Sequence, residues 1–196
     1  MDSASDVSAF VLAGGKSARM GTDKAFVPLN GRTLLARMLD AARALTSHVR
    51  IVGDRAKYAA FATVVEDIFP GCGPLGGIHA ALRSSSTDLN VILAVDTPFV
   101  SLALLQFLVG RARNAPASIV TVPRANNGLE PLCAVYRREF AAAAEEALRT
   151  GRYKIDTLFD PASTQVIGGE ELETAGFSPQ IFHNLNSPSD FAQAHE

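Results

Sequence analysis

Glycines and cationic side chains are concentrated in one short stretch near the start of the chain. In FVLAGGKSARMGTDK, an apolar run is followed by Gly14, Gly15, Lys16, Arg19 and Lys24. Glycines let a ligand approach the backbone N–H groups closely. Lysine and arginine bind anions that carry several oxygens, such as a triphosphate. The stretch therefore predicts a phosphate-binding loop after a buried strand, although a solvated turn with scattered charge would have the same composition.

Two common phosphate-binding patterns do not fit this loop. A Walker A loop that ends in the Gly-Lys-Ser of this stretch would need glycine at Phe10, and the GxGxxG pattern would need glycine at Lys16. A literal GxGxxG match begins at Gly71, but Pro74 interrupts it and has no N–H for a pyrophosphate. We interpret this second segment as a loop that walls a nucleotide pocket, not as a dinucleotide site.

Two aspartates each follow an apolar run. Asp96 lies in VILAVDTPFV and Asp67 in VVEDIFPG. A carboxylate at the end of a buried strand is suited to Mg²⁺, which prefers a few hard oxygens together with substrate phosphates. Each aspartate could instead accept backbone N–H groups in a turn. The pattern thus leaves a metal ligand and a turn cap open for Asp96.

The elements that would position these residues alternate between short apolar strands and amphipathic helices. This alternation predicts a three-layer α/β/α fold with a mostly parallel, Rossmann-like central sheet, in which ligands bind at the carboxyl ends of the strands. Irregular segments are predicted at 124–129 and 168–180. The predicted strands are 7–13, 49–52, 63–66, 90–95, 118–122, 132–136, 163–167 and 181–183. The predicted helices are 33–45, 55–61, 74–83, 102–113, 139–149, 155–159 and 189–195.

Length and composition limit the class of protein. The chain has 196 residues, of which 47% are hydrophobic, and a net charge of −2, so one domain is expected and neither nucleic acid nor membrane is an expected partner. No apolar run approaches the ~18 residues of a membrane span, and the first residues lack a basic signal-peptide start. Cys72 and Cys133 are far apart, which favours free thiols in a reducing, cytoplasmic location.

Four segments together resemble one family. The string LAGGKSARMGTDK is similar to the signature loop of nucleotidyltransferases, in the version found in the molybdenum cofactor guanylyltransferase (MobA) family. The Asp-Thr-Pro that begins at Asp96 and the NLNSPSD that begins at Asn184 resemble two further elements of that family. The segment EPLCAVY resembles the family's Pro-Leu segment on the acceptor side, and its first residue, Glu130, receives no role.

The resemblance implies an activity. It implies transfer of GMP from GTP to the terminal phosphate of molybdopterin, or of molybdenum-molybdopterin, with Mg²⁺ and with release of pyrophosphate. Relatives that use CTP tend to carry Leu-Ala-Ala-Gly, so the Leu-Ala-Gly-Gly that ends at Gly15 favours GTP. The alternatives are a CTP-dependent molybdopterin cytidylyltransferase, a sugar-phosphate nucleotidyltransferase, and a non-catalytic GTP-binding protein that delivers the cofactor. Protein partners implied by the resemblance are molybdenum-insertion and molybdoenzyme-maturation proteins.

The resemblance also implies roles for individual residues. It divides a single domain, 1–196, into a nucleotide-binding half at about 7–123 and an acceptor-binding half at about 124–196. Catalytic roles are implied for Arg19, Lys24 and Asp96, with Asp96 as metal ligand and Asn186 as a second ligand. Asn184 and Asn186 are implied as acceptor or phosphate contacts. Nucleotide binding is implied for Leu12, Ala13, Gly14, Gly15, Lys16, Lys24, Asp67 and Asp96.

Overall fold

The computed structural model describes residues 6–14, 23–125, 128–186 and 188–193, and these residues define the fold. None of their helices is long and apolar enough to cross a membrane. The strands are β1 (Val7–Leu12), β2 (Pro28–Leu29), β3 (Arg32–Thr33), β4 (Val49–Val52), β5 (Thr63–Val65), β6 (Leu89–Ala94), β7 (Val120–Ala125), β8 (Gly128–Leu129), β9 (Cys133–Arg137) and β10 (Thr164–Ile167). The α-helices are α1 (Leu34–Leu45), α2 (Arg55–Tyr58), α3 (Pro74–Ser84), α4 (Leu102–Asn114), α5 (Phe140–Arg149), α6 (Gly169–Thr174) and α7 (Pro188–Gln193). Among the described residues, 3₁₀ helices cover Lys24–Phe26, Ile155–Leu158 and Pro179–Phe182.

One mostly parallel sheet runs through the described residues. Its strand order is β10-β7-β9-β6-β1-β4-β5, and β8 pairs with β7 outside this path. Within the path, β9 is antiparallel to both of its neighbours, and the remaining pairs are parallel. Because β9 joins β6 to β7, the sheet is continuous between the two predicted halves of the chain.

Helices cover both faces of this sheet, as the burial of β1 illustrates. Val7, Ala9 and Val11 pack into the apolar cluster that contains α1 and α4, whereas Phe10 and Leu12 pack into the cluster that contains α3 and α5. Successive strand residues point to opposite faces, so a strand covered on both sides reads as an unbroken apolar run. The predicted three-layer α/β/α fold with a mostly parallel sheet is confirmed.

The connections place a crevice at the carboxyl ends of β1 and β6. From β1 the chain continues through α1 to β4 on one side, whereas β6 pairs on the other side. A reversal of strand order of this kind opens a ligand crevice in an open α/β sheet. The segments that follow β1 and β6 are the glycine-rich loop and Asp96, so both predicted ligand-binding segments begin at this crevice.

Most predicted elements lie within about two residues of the observed ones, but the prediction was wrong for residues 168–183. The predicted strand 181–183 is part of the 3₁₀ helix Pro179–Phe182, because Pro179 opens a helical turn and Phe182 is buried as its anchor. Residues 168–180, predicted as irregular, contain α6. Two glutamates in its first turn favour the helix, and Leu172 supplies its buried contact.

One further segment and the length of one helix were predicted incorrectly, and one hairpin was not predicted. Within the polar segment 124–129, β7 extends to Ala125 and β8 pairs antiparallel with it, which satisfies the backbone of both strands. The helix predicted at 55–61 ends at Tyr58, whose ring is buried. A small hairpin of β2 and β3 was not predicted, although its Asn30-Gly31 turn, with φ of 51° and 78°, is a common two-residue hairpin sequence.

A buried histidine lies between α3 and α5. The ring of His79 packs edge-on against Phe69 with centroids 5.2 Å apart, and its Nε2 is 3.5 Å from Glu145 Oε2. Among the described residues, neither ring nitrogen has a hydrogen-bond partner. Burial lowers the pKa of His79 and outweighs the opposing effect of the Glu145 carboxylate. The folded protein therefore favours the neutral imidazole of His79.

We expect the free energy of unfolding to fall as the pH drops below about 6.5, the usual pKa of an unfolded histidine. In that range the unfolded chain binds a proton at His79 that the folded chain binds poorly, so acid favours unfolding. His79→Leu should reduce this loss by on the order of 1 kcal/mol in urea titrations at pH 8 and pH 5.5. His48→Gln, at an exposed histidine, is the control. An identical acid-dependent loss in wild type and His79→Leu would contradict the assignment.

Candidate active site

Three polar side chains from distant parts of the chain meet beside the crevice. Lys24 Nζ lies 2.9 Å from Asp96 Oδ2 and 2.6 Å from Asn186 Oδ1. The side chains of Lys24 and Asp96 are only 15% and 25% exposed, so this ion pair is shielded from solvent more than a surface pair. One carboxylate oxygen and one amide oxygen thus converge on the position of the Lys24 ammonium group.

Lys24 is held by the residues that precede and follow it. It begins the 3₁₀ helix Lys24–Phe26, and the Asp23 carboxylate caps that helix by accepting from the Ala25 N–H. Asp23 also accepts from Lys57 Nζ at 3.0 Å. Burial alone would raise the pKa of Asp23, but the hydrogen bonds from Lys57, Tyr58 and the Ala25 N–H together lower it. Asp23 therefore remains ionised as an anchor next to Lys24.

Tyr58 connects the two ends of the glycine-rich loop. Its hydroxyl lies 3.0 Å from the Ala13 carbonyl, where the loop begins, and 2.9 Å from Asp23 Oδ2, where it ends. Burial and the neighbouring Asp23 raise the pKa of Tyr58 well above its ordinary value, so the hydroxyl keeps its proton and donates. The structure thus fixes the position of Lys24 from outside the loop itself.

Asp96 and Asn186 are fixed against each other by the backbone. Asp96 follows β6, and its carbonyl accepts from the Leu185 N–H at 2.9 Å. The Asn186 N–H donates to Asp190 Oδ2 at 2.6 Å, in the first turn of α7. The closing motif therefore caps a helix and also delivers an amide oxygen to the site.

A third segment, after β5, forms a wall of the crevice next to α3. Asp67 Oδ2 would lie 3.9 Å from a Cβ added at Gly76, and the Phe69 carbonyl would lie only 2.9 Å from it. A side chain at Gly76 would therefore push the loop at Phe69 out of place. The Asp67 side chain reaches solvent, yet partial desolvation by its surroundings raises its pKa.

The remaining predicted residues are placed as follows. Leu12 and Ala13 are buried at the end of β1, and Gly14 begins the loop in an exposed position. Asn184 is exposed two residues before Asn186. Gly15, Lys16 and Arg19 lie outside the described residues, so their predicted roles stay predictions.

The donor set of the site suits magnesium better than a softer metal. The described residues contain no group of three or more His, Cys, Asp and Glu side chains that could hold a metal ion by themselves. Mg²⁺ is commonly bound through one or two protein oxygens and completes its shell with water and substrate phosphates. The carboxylate of Asp96 and the amide oxygen of Asn186, which already face a common cation, fit this pattern.

The comparison with known families decides the identity. Residues 9–165 match the family described as the MobA-like NTP transferase domain. The chain belongs to the MobA-like NTP transferase family. The family predicted from the loop, Asp96 and closing motifs is confirmed, and the matched range includes Lys24 and Asp96, whereas Asn186 lies beyond it.

Individual relatives of this MobA-like protein match nearly its whole length. It is 32% identical over 191 residues to the molybdenum cofactor guanylyltransferase of Desulfosudis oleivorans, covering 96% of this chain and 94% of the relative. It is also 32% identical over 195 residues to the molybdenum cofactor guanylyltransferase of Vibrio cholerae, covering 96% and 91%. The crystal structure of molybdopterin-guanine dinucleotide biosynthesis protein A from Archaeoglobus fulgidus has a TM-score of 0.83 and 27% identity, covering 96% of each chain.

Sequence reasoning missed the residues that hold this MobA-like site together. Asp23 and Tyr58 received no role in the sequence analysis, because these two residues contact each other across 35 positions of the chain. The helix-capping pattern at Asp23 was a usable signal, but the sequence alone carries no signal that a tyrosine of a four-residue helix reaches the loop. Arg55, on the same short helix as Tyr58, pairs with Glu66 at 3.1 Å, and Asp54 caps that helix.

Proposed function

We propose that this protein transfers GMP from GTP to the terminal phosphate of molybdopterin and thereby forms the molybdopterin guanine dinucleotide. The observation that carries the proposal is the convergence of Lys24, Asp96 and Asn186 at the carboxyl ends of the parallel strands. The named activity of relatives that match over nine-tenths of this chain supports the choice of substrates.

The reaction needs positioning and charge neutralisation more than a protein base. An oxygen of the acceptor phosphate forms a bond to the α-phosphorus of GTP, and the bond to the β-phosphate oxygen breaks as pyrophosphate leaves. The acceptor phosphate is already an anion, so it can attack without losing a proton to the protein. The main barrier is to bring two polyanions together, and Lys24 supplies positive charge at the point where they meet.

Mg²⁺ is proposed as the metal of this site, with Asp96 and Asn186 as its protein ligands. Bound there, it would neutralise phosphate oxygens and polarise the α-phosphate. Asp96 holds the negative charge that attracts the ion, and Asn186 orients a neutral oxygen toward the same point. With the ion bound, Lys24 would lose Asp96 as its partner and would become available for a phosphate oxygen of the triphosphate. Lys16 and Arg19 remain proposed as further phosphate contacts.

The guanine base is proposed to bind near Asp67, with the nucleotide in the 7–123 half and the acceptor in the 124–196 half. A carboxylate can accept from both the N1–H and the exocyclic amine of guanine. Gly76 packs closely against the loop at Phe69, so this wall has no room for a side chain at that position. The Leu-Ala-Gly-Gly version of the loop, which ends at Gly15, supports GTP over CTP, as the resemblance implies. The proposed location is the cytoplasm, and the proposed protein partners insert molybdenum or mature molybdoenzymes.

The decisive experiment measures pyrophosphate release from GTP, CTP, UTP and ATP with Mg²⁺, each with and without molybdopterin. We expect release that is selective for GTP and depends on molybdopterin. Faster release from CTP or UTP would mean that this nucleotide, and not GTP, is the substrate. Dependence on a different phosphorylated metabolite would mean that this metabolite, and not molybdopterin, is the acceptor. GTP binding without any release would indicate a non-catalytic delivery protein.

We expect Tyr58→Phe to raise the KM for GTP several-fold, because the loop loses the hydroxyl that joins Ala13 to Asp23. One hydrogen bond to a charged group contributes about 1.5–3 kcal/mol, so the melting temperature should also fall by a few degrees. Steady-state kinetics and thermal unfolding measure both effects. Tyr153→Phe, at an exposed tyrosine, is the matched control. Unchanged KM and melting temperature in Tyr58→Phe would show that the hydroxyl does not anchor the loop.

A further inference from the structure

A glutamate that received no role lies at the same edge of the sheet as the proposed active site. Glu130 lies between β8 and β9, and its N–H donates to the Pro123 carbonyl at 2.9 Å. Its own carbonyl accepts from the Cys133 N–H at 3.0 Å. The backbone N–H and carbonyl of Glu130 are therefore both hydrogen-bonded to the sheet, near the carboxyl end of β7 and the beginning of β9.

The residues that follow Glu130 are also fixed. The Pro131 carbonyl accepts from the Tyr136 hydroxyl at 2.8 Å, and the Leu132 carbonyl accepts from the Ala94 N–H at 2.8 Å. Ala94 is the last residue of β6 and lies two residues before Asp96. This backbone is therefore fixed next to the strand that precedes Asp96, the proposed metal ligand.

The carboxylate of Glu130 has no partner of its own among the described residues. No hydrogen bond or ion pair of residues 6–14, 23–125, 128–186 and 188–193 involves it. The residue is only partly exposed, and burial raises its pKa to about 7. Its oxygens still reach solvent, so a molecule that displaced water from this edge would have to supply hydrogen-bond donors of its own.

The strand order shows which bound molecule would reach it. Along the carboxyl edge, Asp67 follows β5, Gly14 follows β1 and Asp96 follows β6, in that spatial order. Glu130 comes next, beside β9 and β7. A nucleotide with its base near Asp67 and its phosphates between Gly14 and Asp96 leaves the edge at Glu130 for the acceptor.

We propose that Glu130 is the residue that selects the acceptor, by accepting two hydrogen bonds from the amino-pyrimidinone edge of its pterin ring. That edge presents a ring N–H and an exocyclic amine side by side, which matches the two oxygens of one carboxylate. The inference rests on the proposed function and adds the recognition of its second substrate. Glu130 acts on acceptor binding and takes no part in bond making.

The test is steady-state transfer by the full chain, with molybdopterin varied at saturating GTP and GTP varied at saturating molybdopterin. We expect Glu130→Gln to raise the KM for molybdopterin by about 10- to 100-fold, the effect of losing a charge-assisted hydrogen bond. The KM for GTP and kcat should change less than about threefold, because the carboxylate does not contact the reacting phosphates. Glu130→Asp, which keeps the charge on a shorter side chain, should have the smaller effect on the KM for molybdopterin.

Two controls separate recognition from folding. Glu139→Gln removes an exposed glutamate whose side chain makes no capping bond, and it should leave both KM values unchanged. Glu130→Gln should keep or raise the melting temperature, since it removes an unpaired, partly buried charge. A structural role would lower the melting temperature instead.

The possible failures can be told apart. If wild type transfers GMP to molybdopterin but Glu130→Gln keeps the wild-type KM for molybdopterin, the inference is wrong and the proposed function stands. Equal increases in the KM for both substrates would also overturn it. If wild type transfers no nucleotide to molybdopterin, the proposed function fails and the inference fails with it.

Discussion

Asp96→Asn is expected to lower kcat for nucleotide transfer by roughly 10³-fold or more, the loss that follows removal of a main electrostatic contact to the transition state. Asparagine has nearly the same shape and still offers one oxygen, but it lacks the negative charge that attracts a divalent cation. In this variant Lys24 could still contact Asn186, but it would no longer face a carboxylate at position 96. The loss should therefore appear in kcat, with a smaller change in the affinity for GTP.

The comparison for Asp96→Asn is Asp40→Asn, which breaks a surface ion pair of similar length. Asp40 Oδ2 lies 2.6 Å from Arg32 Nη2, but both side chains are about half exposed. Such a pair contributes about 0–1 kcal/mol, so transfer should be unaffected. Thermal unfolding of both variants checks that each is folded. Transfer at the wild-type rate by a folded Asp96→Asn protein would remove Asp96 from the mechanism.

The sequence could predict this site because parallel strands force their carboxyl ends together. A glycine-rich loop after one buried strand and an aspartate after another must lie at the same edge of the sheet. That reasoning places Gly14 and Asp96 near each other without any knowledge of their contacts. It could not pair Lys24 with Asn186, which lie 162 residues apart, and only the family resemblance connected them.

The features of the fold and site that the sequence did not predict are of two kinds. Some depend on contacts between residues far apart along the chain, and others lie in polar segments. Tyr58 is buried, but nothing in its neighbours indicates that its hydroxyl points to Ala13 and Asp23. Glu130 resembles a solvated loop acid in sequence, and only the folded chain shows that, among the described residues, it lacks a partner. The hairpin of β7 and β8 carries polar residues, so hydrophobic periodicity could not find it.

Lys24→Ala is expected to have two opposite effects, because Lys24 lies where a cation would bind. Its ammonium occupies the position between Asp96 Oδ2 and Asn186 Oδ1. Its removal should lower kcat/KM for transfer by about 10²- to 10³-fold, since a positive charge at the triphosphate is lost. The same change should raise the affinity for a divalent cation in the absence of nucleotide, because the ion no longer competes with an ammonium for the two oxygens.

Titration of Mn²⁺ into the nucleotide-free protein, followed by electron paramagnetic resonance, measures the second effect apart from catalysis. Arg32→Ala, which removes the cation of the surface pair with Asp40, should change neither Mn²⁺ affinity nor transfer. Lys24→Ala with reduced transfer but unchanged Mn²⁺ affinity would mean that the metal does not bind at Asp96 and Asn186. Tighter Mn²⁺ binding together with impaired transfer would support an exchange in which the metal takes Asp96 and Lys24 turns to the triphosphate. In that exchange, the contacts of the Lys24 ammonium keep Asp96 and Asn186 arranged until both substrates arrive.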